Sequence, residues 1–403
     1  MGLAMPALPA FPFPSDHALR LAPALAEARG DGAPVQVQPP YGAPAWLVTR
    51  YEDARHVFSS PAFGRDPRRA GVADSDVARV TPVDITAQTM VSADPPDHAR
   101  VRRFVFHTFT PRRIERLRPS TERIADGLVD AMVEQGPPAD LFEAFGLTLP
   151  VRVICDLLGV PAADQDRFTA WSDSLIEDSG LTPDEVLAGI AEMNDYLGEQ
   201  ADRRVEHPTD DLIGALVRAR VEGDRLSRDE MVNLVRTLLA AGHETTASQI
   251  PNFVFLLLTN GDYKRLCDEP ELVPAAVEEL LRYVPLIAQG SFARYVLEET
   301  ELGGVRLRPG DQVLVELSAA NRDGSVFPDP EVLDVARADN PHLAFGFGLH
   351  RCVGASLARM ELQVALSTLT RRLPGLRLAV PADEVPWHAH RFVRRPRALP
   401  VTW

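Results

Sequence analysis

The strongest constraint on the fold is one helix of unusual length. Ser227-Arg-Asp-Glu230 sets a hydroxyl and a carboxylate three residues apart, the pattern that satisfies the free N–H groups at a helix start. Helical spacing of apolar residues then continues to about Thr259, well above the usual length of a globular helix. Pro251 lies inside this span and predicts a kink, because it removes one main-chain hydrogen bond. Leu234, Leu238, Ala241 and Thr245 recur at helical spacing and share a face. From roughly Asp97 to Asn260 nearly every segment reads as amphipathic helix. Further helices are predicted over Asp16–Gly30, Glu271–Tyr283 and about Ala355–Arg372. Val35–Tyr51 reads as a hairpin, Phe292–Leu317 as strands and turns, and the tail as strand-rich. No internal repeat or long linker interrupts the pattern. The fold class predicted is mainly α with minor β, as a single domain over residues 1–403.

Composition narrows the function classes. A formal net charge of −15 argues against a nucleic-acid partner, which would require a basic face. No stretch has the apolar length of a membrane span, and Met1–Pro14 lacks the basic region of a signal peptide. Cys155, Cys267 and Cys352 show no disulfide-like spacing, so a reducing, cytoplasmic setting is expected. Lys264 is the sole lysine among 42 basic residues, a bias of composition rather than chemistry.

The most informative segment is Phe345-Gly-Phe-Gly-Leu-His-Arg-Cys-Val-Gly354. Its glycines allow tight turns and close approach to a flat, bulky group. A cysteine at the end of such a loop, just before a helix, has its thiolate stabilised by the helix N-terminus. Zinc is disfavoured because no second Cys/His cluster stands at finger spacing, and the glycines do not match a phosphate-binding pattern. The segment resembles the haem-ligand loop of the cytochrome P-450 family at every fixed position. The resemblance implies that Cys352 is the axial thiolate of haem b (iron protoporphyrin IX), that Phe345 packs beside the haem, that His350 contacts a propionate, and that Gly354 completes the loop.

Other landmarks follow in the family's order. Glu279-Leu-Leu-Arg282 alone is an ordinary helical charge pair; by resemblance it is a buried structural pair, with Arg337 as a third member. Ala241-Gly-His-Glu-Thr-Thr246 resembles the family's Ala-Gly-x-acid-Thr-Thr block. It implies haem contact by Ala241 and proton management by the catalytic pair Glu244 and Thr245. His98 and Arg102, one helical turn apart, suit a single carboxylate, and by resemblance they and Arg294 bind haem propionates. Asn321-Arg-Asp323 and Phe327-Pro-Asp-Pro330 match the irregular stretch before the cysteine loop. The implied fold is a triangular helical domain of the soluble bacterial type.

These resemblances imply a monooxygenase that takes two electrons from outside and oxidises a small molecule, with a secondary metabolite as the expected substrate. The chain has no flavin or iron–sulfur motif, so ferredoxin and ferredoxin reductase are the expected donors. Arg102, Arg103, Arg112, Arg113 and Arg351 flank the two segments expected to approach the haem from its cysteine side; with Arg102 expected at a propionate, Arg103, Arg112 and Arg113 are the exposed docking candidates. The implied pocket includes Val91, Leu238, Ala288, Gln289, Ser291 and Phe292, mostly apolar as small-molecule sites are. An oxidative coupling enzyme on the same scaffold stays open, as does a non-catalytic haem-binding protein, against which the intact Glu244–Thr245 pair argues. His388 and His390 could share a strand face but are too few for a metal site. Cys155 reads as core and Cys267 as inert.

Overall fold

Gln312–Val315 is a strand buried at every position, and such a strand belongs inside a sheet covered on both faces. The computed structural model describes residues 8–15, 17, 19–30, 32–79, 90–106, 108–174, 182–221, 226–287, 290, 292–388 and 393–403. These form two compact units, residues 1–94 with 278–352, and residues 95–277 with 353–403.

In the first unit Gln312–Val315 is the middle of five strands, ordered Val35–Val37, Ala45–Val48, Gln312–Val315, Arg294–Val296 and Phe63–Gly64. Pairing is antiparallel except between Ala45–Val48 and Gln312–Val315, which run parallel with Trp46 opposite Val313. Side chains alternate between faces. Val48, Val296, Val313 and Val315 pack with Tyr51, Phe63 and Phe327 on one side. Ala45, Leu47, Tyr295 and Leu314 pack with Phe11, Leu25 and Ala319 on the other.

The hairpin expected from Val35 forms with Val35 opposite Leu47, while Tyr51 opens the helix Tyr51–Ser59. Between Phe292 and Leu317 a second hairpin, Thr300–Leu302 with Val305–Leu307, turns at Gly303 and Gly304. Both glycines have positive φ, 56° and 80°, as a two-residue turn matched to strand twist requires. The first helix starts at Pro23, not Asp16. A proline disfavours helical backbone in the residue before it, so the helix begins at Pro23, where its missing N–H costs nothing. Asp16 itself lies outside the described residues.

The second unit is helical around Arg228–Asn260. The Ser227 N–H donates to Glu230 Oε2 at 2.8 Å and the Glu230 N–H to Ser227 Oγ at 3.1 Å, closing the predicted capping box. Gly261, at φ 85°, ends the helix. Its first half buries a stripe that includes Met231, Leu234, Val235 and Leu238, whereas every residue from Thr246 to Phe255 is buried. The first half is thus a surface helix and the second is surrounded. Its neighbours include Thr148–Leu158, Pro183–Glu206 and Ala355–Arg372, the last with its expected bounds.

Pro251 cannot donate to the Ala247 carbonyl four residues back. Gly146 lies beside this site, since a Cβ on it would stand 3.2 Å from that carbonyl oxygen and 3.4 Å from the proline ring. Gly146 closes a π-helical turn, Phe142–Gly146, a rare element that ordinary helical periodicity does not disclose. The helix expected over Glu271–Tyr283 is a 3-10 turn, Pro270–Leu272, followed by Val273–Tyr283. Among the described residues the tail contributes two short strands, Arg377–Leu378 and Pro400–Thr402, to a sheet with Ala139–Asp140. Among the described residues no helix is long and apolar enough to cross a membrane.

Candidate functional site

The cysteine loop is held by its main chain. The Cys352 N–H donates to the Phe345 carbonyl at 2.8 Å, and the Gly346 N–H to the Leu343 carbonyl at 2.7 Å. Gly346 and Gly348 take φ of 68° and 69°, a region that favours glycine. A Cβ on Gly348 would also stand 2.2 Å from the Phe58 carbonyl oxygen, whereas one on Gly346 would meet nothing within 4 Å. Gly354, by contrast, has φ −81° and caps the helix Ala355–Arg372, so its conformation does not call for glycine. Cys352 is exposed, Cys267 half-buried and Cys155 buried. Burial pushes the Cys155 thiol up to about 12, which leaves it inert.

Phe345 and His350 are half-buried. Phe347, a free position in the loop pattern, packs on the sheet core, with the Arg55 guanidinium 4.8 Å from its ring centre. Nearby, the His342 Nδ1 accepts the Ala344 N–H at 3.2 Å, so its Nε2 carries the proton shared with Glu278 Oε2 at 3.0 Å.

A buried network supports this loop from behind. Arg282 donates to Glu279 from Nε (2.8 Å) and Nη2 (2.7 Å), to the Asn321 and Pro330 carbonyls from Nη1 (2.9 and 2.8 Å), and to the Val332 carbonyl from Nη2 (3.1 Å). Every guanidinium donor is therefore used. Glu279 also accepts from Arg337 Nε at 3.0 Å, Asn340 Nδ2 at 3.1 Å and the Asp334 N–H at 3.0 Å. Asn321 carries the network to the loop, its side-chain oxygen accepting the Leu343 N–H at 2.7 Å. The sequence pattern names Glu279, Arg282 and Arg337. It does not name Asn340, Asp334 or the acceptor role of Asn321, because main-chain and single-amide partners leave no periodic trace.

Arg294 is buried in the same unit, and among the described residues it makes no ion pair. The Phe58 ring centre lies 5.2 Å from its guanidinium. Burial, and then the nearby Arg65 charge, hold it well below the ordinary arginine range, with Asp94 acting in opposition. Sequence reading missed Arg65. Its side chain is buried and donates to the Val91 carbonyl from Nε (2.9 Å) and the Ala293 carbonyl from Nη1 (2.7 Å). Of the expected pocket residues in this unit, Val91 is half-buried and Phe292 is 38% exposed, enough to offer its ring to a ligand. Ala288, Gln289 and Ser291 lie outside the described residues, as does His390.

In the second unit the Thr245 hydroxyl donates to the Ala241 carbonyl at 2.9 Å, one helical turn back. Ala241 is exposed, Glu244 and Thr245 are half-buried, and Leu238 is buried. A Cβ on Gly242 would meet nothing within 4 Å, so close helix packing does not explain this glycine. His243, between them in sequence, is buried and bonded to the Leu147 main chain; burial pushes its pKa down to about 4, so the ring is neutral near pH 7. His98 is buried and Arg102 half-buried on the helix Asp97–Phe106. Arg103 and Arg112 are exposed; Arg113 is half-buried, with its guanidinium 3.8 Å from Asp210. Arg351, in the first unit, is exposed.

Known proteins supply the context. A family model described as Cytochrome P450 matches residues 187–270 and 268–396. The mycinamicin IV hydroxylase/epoxidase of Micromonospora griseorubida is 47% identical over 395 residues, 98% of each chain. The nocardicin C N-oxygenase of Nocardia uniformis subsp. tsuyamanensis is 48% identical over 394 residues, again 98% of each. The solved structure of the mixed-function P450 MycG superposes with a TM-score of 0.92 at 47% identity, covering 98% of this chain and 100% of that one. The matched lengths, the mainly helical fold with small sheets and the presented cysteine agree, and this chain belongs to the cytochrome P450 family of haem-thiolate monooxygenases.

Proposed function

We propose that this monooxygenase oxidises a secondary metabolite, by hydroxylation or epoxidation, and that Cys352 is the residue whose thiolate would hold the iron of haem b. The observation that carries the assignment is the exposed Cys352 on a loop pinned by its own main chain, where Cys267 is half-buried and Cys155 buried. Relatives named for mycinamicin and nocardicin oxidation support the substrate class. Family membership establishes a small-molecule substrate and an external electron source; ferredoxin with ferredoxin reductase is the proposed supply, in a cytoplasmic setting. We read residues 1–403 as one functional domain.

The residues present fit the cofactor. Arg294 is a buried cation with no carboxylate in ion-pair reach among the described residues, and its neighbour Arg65 adds a like charge. An anion there would relieve both desolvation and repulsion. A haem propionate supplies that charge, with His98, Arg102 and His350 as the other proposed propionate partners. Phe345, Ala241 and Gly354 are proposed to contact the haem, and Leu238, Val91 and Phe292, with Ala288, Gln289 and Ser291, to face substrate. Bound through a thiolate, haem supplies an iron that activates dioxygen, with electron density favouring O–O cleavage.

The chain's own acid–base work falls to Glu244 and Thr245. In the resting helix the Thr245 proton is engaged with the Ala241 carbonyl, leaving the hydroxyl oxygen free to accept a hydrogen bond. Rotation of Oγ1 away from that carbonyl turns the hydroxyl into an outward donor, and Glu244 is proposed to resupply the proton. The neutral His243 adds no competing charge beside them in sequence. The test is the ferrous–CO spectrum. Wild type should show the strong red shift of thiolate ligation and Cys352→Ser should lose it; an unshifted wild-type spectrum overturns the assignment.

A further inference from the structure

Arg65 stands where two separate pieces of chain meet, and neither family pattern nor periodicity marks it. It follows the edge strand Phe63–Gly64, which pairs with Arg294–Val296 so that Gly64 is opposite Tyr295. Its own main chain is fixed first. Asp94 accepts the Arg65 N–H at Oδ1 (2.8 Å) and the Asp66 N–H at Oδ2 (3.1 Å), and pairs with Arg69 at 3.3 Å. Gly64 makes room for this carboxylate, because a Cβ there would stand 2.7 Å from Asp94 Oδ2 and 3.0 Å from Leu297 Cδ1. With its backbone held, the side chain reaches both ways. Nε binds the Val91 carbonyl, Nη1 binds the Ala293 carbonyl, and the guanidinium carbon lies 5.1 Å from the Phe292 ring centre.

We propose that Arg65 is a positioning residue that sets, as one unit, the two segments of the first unit facing substrate, residues 91–94 and 292–293. The inference rests on the proposed assignment of Val91 and Phe292 to the pocket. Main-chain carbonyls are what it grips, so it fixes the backbone of both segments whatever side chains they bear. The guanidinium suits the task because its donors are spread over a rigid plane, whereas a lysine ammonium concentrates its donors at one point and cannot hold both carbonyls in the same geometry. Arg65 touches no reacting atom in this scheme. It acts through Val91 and Phe292, and substrate shape selection is what it controls.

Two azole probes separate this from a general structural role. Imidazole needs only access to the haem iron, whereas clotrimazole fills the pocket; both are read by titration of the haem Soret band. Arg65→Lys and Arg65→Gln should keep the thiolate CO spectrum and bind imidazole within about twofold of wild type. Clotrimazole affinity should change by roughly tenfold, as expected for losing a charged hydrogen bond that fixes pocket backbone. Unchanged clotrimazole binding in both variants overturns the proposal, and so does an equal loss for both azoles. Failure of wild type to respond to imidazole overturns the haem-site assignment itself. If neither variant accumulates with haem, the wild-type holoprotein decides. Clotrimazole should slow amide exchange in residues 90–94 and 292–297 together while imidazole leaves both unchanged, and protection of only one segment, or of neither, counts against Arg65 as their common clamp.

Discussion

Arg282 and Arg294 are both buried guanidiniums of the first unit, and they are accommodated in opposite ways. Arg282 spends every donor inside the protein, on Glu279 and three main-chain carbonyls. Glu279 in turn receives Arg337, Asn340 and the Asp334 amide. Arg294 has an aromatic ring, a second arginine nearby and no ion pair among the described residues. A buried charge with complete partners is part of the scaffold. One without them is stable only if something from outside completes it. The contrast separates residues that build the fold from residues that receive a ligand, without reference to any motif.

The largest effect is therefore expected at Arg282. Arg282→Lys keeps the charge but cannot reach Glu279, Asn321, Pro330 and Val332 from one nitrogen. Breaking a buried pair costs about 3–5 kcal/mol, against a total stability of roughly 5–15 kcal/mol. The variant should fail to accumulate as folded protein, and urea unfolding of any soluble fraction should show the loss. Because Asn321 hands the network on to the Leu343 amide, the Cys352 loop should loosen as well, visible as faster amide exchange over residues 343–352. Wild-type stability in Arg282→Lys would mean that the network does not hold this part of the fold.

His243 shows a third way to bury a base, by keeping it neutral. Burial lowers its pKa to about 4 from an ordinary 6.5, with the Leu147 main-chain bond opposing the shift. Between those values the unfolded chain binds the proton and the folded chain does not, so stability rises with pH. The contribution is complete above pH 6.5 and is lost as pH falls toward 4, by about 3 kcal/mol in all. His243→Gln should flatten this part of the pH dependence, measured as the difference in urea midpoint between wild type and variant from pH 7 to 4.5. Equal slopes for the two proteins would contradict a buried neutral ring.

How much of this was readable beforehand depends on the range of the interaction. Ser227 and Glu230 announce the long helix because capping partners are three residues apart, and Ala355–Arg372 is bounded correctly for similarly local reasons. Glu279 and Arg282 share a helical turn and are visible as a pair. Arg65 is not, since its acceptors lie at Val91 and Ala293 and are carbonyls that every residue possesses. The π turn at Phe142–Gly146 hides for a different reason, as its pattern differs from an α-helix by one residue in a single turn. Pro23 is a local signal too, since proline suits the first turn of the helix Pro23–Gly30. Local chemistry thus predicts elements, and long-range hydrogen bonds to the main chain, which position the loops around the site, emerge only with the fold.

Arg294→Leu isolates the other side of the comparison. In the haem-free protein the substitution removes a desolvated charge and its repulsion from Arg65, so the apoprotein should be as stable as wild type or more so. In the haem-loaded protein it removes a charge-assisted bond to a propionate, worth about 1.5–3 kcal/mol, or roughly 10- to 100-fold in haem affinity. Transfer of haem to excess apomyoglobin measures this directly, and Arg294→Lys should fall between wild type and leucine because it restores charge without the planar fork. The interpretation holds only if haem affinity falls while apoprotein stability does not. If Arg294→Leu instead destabilises the apoprotein as Arg282→Lys does, Arg294 has partners within the chain and is scaffold. If haem release is unchanged while the apoprotein gains stability, the anion that completes Arg294 is not a propionate, and the cofactor is held by His98, Arg102 and His350 without it.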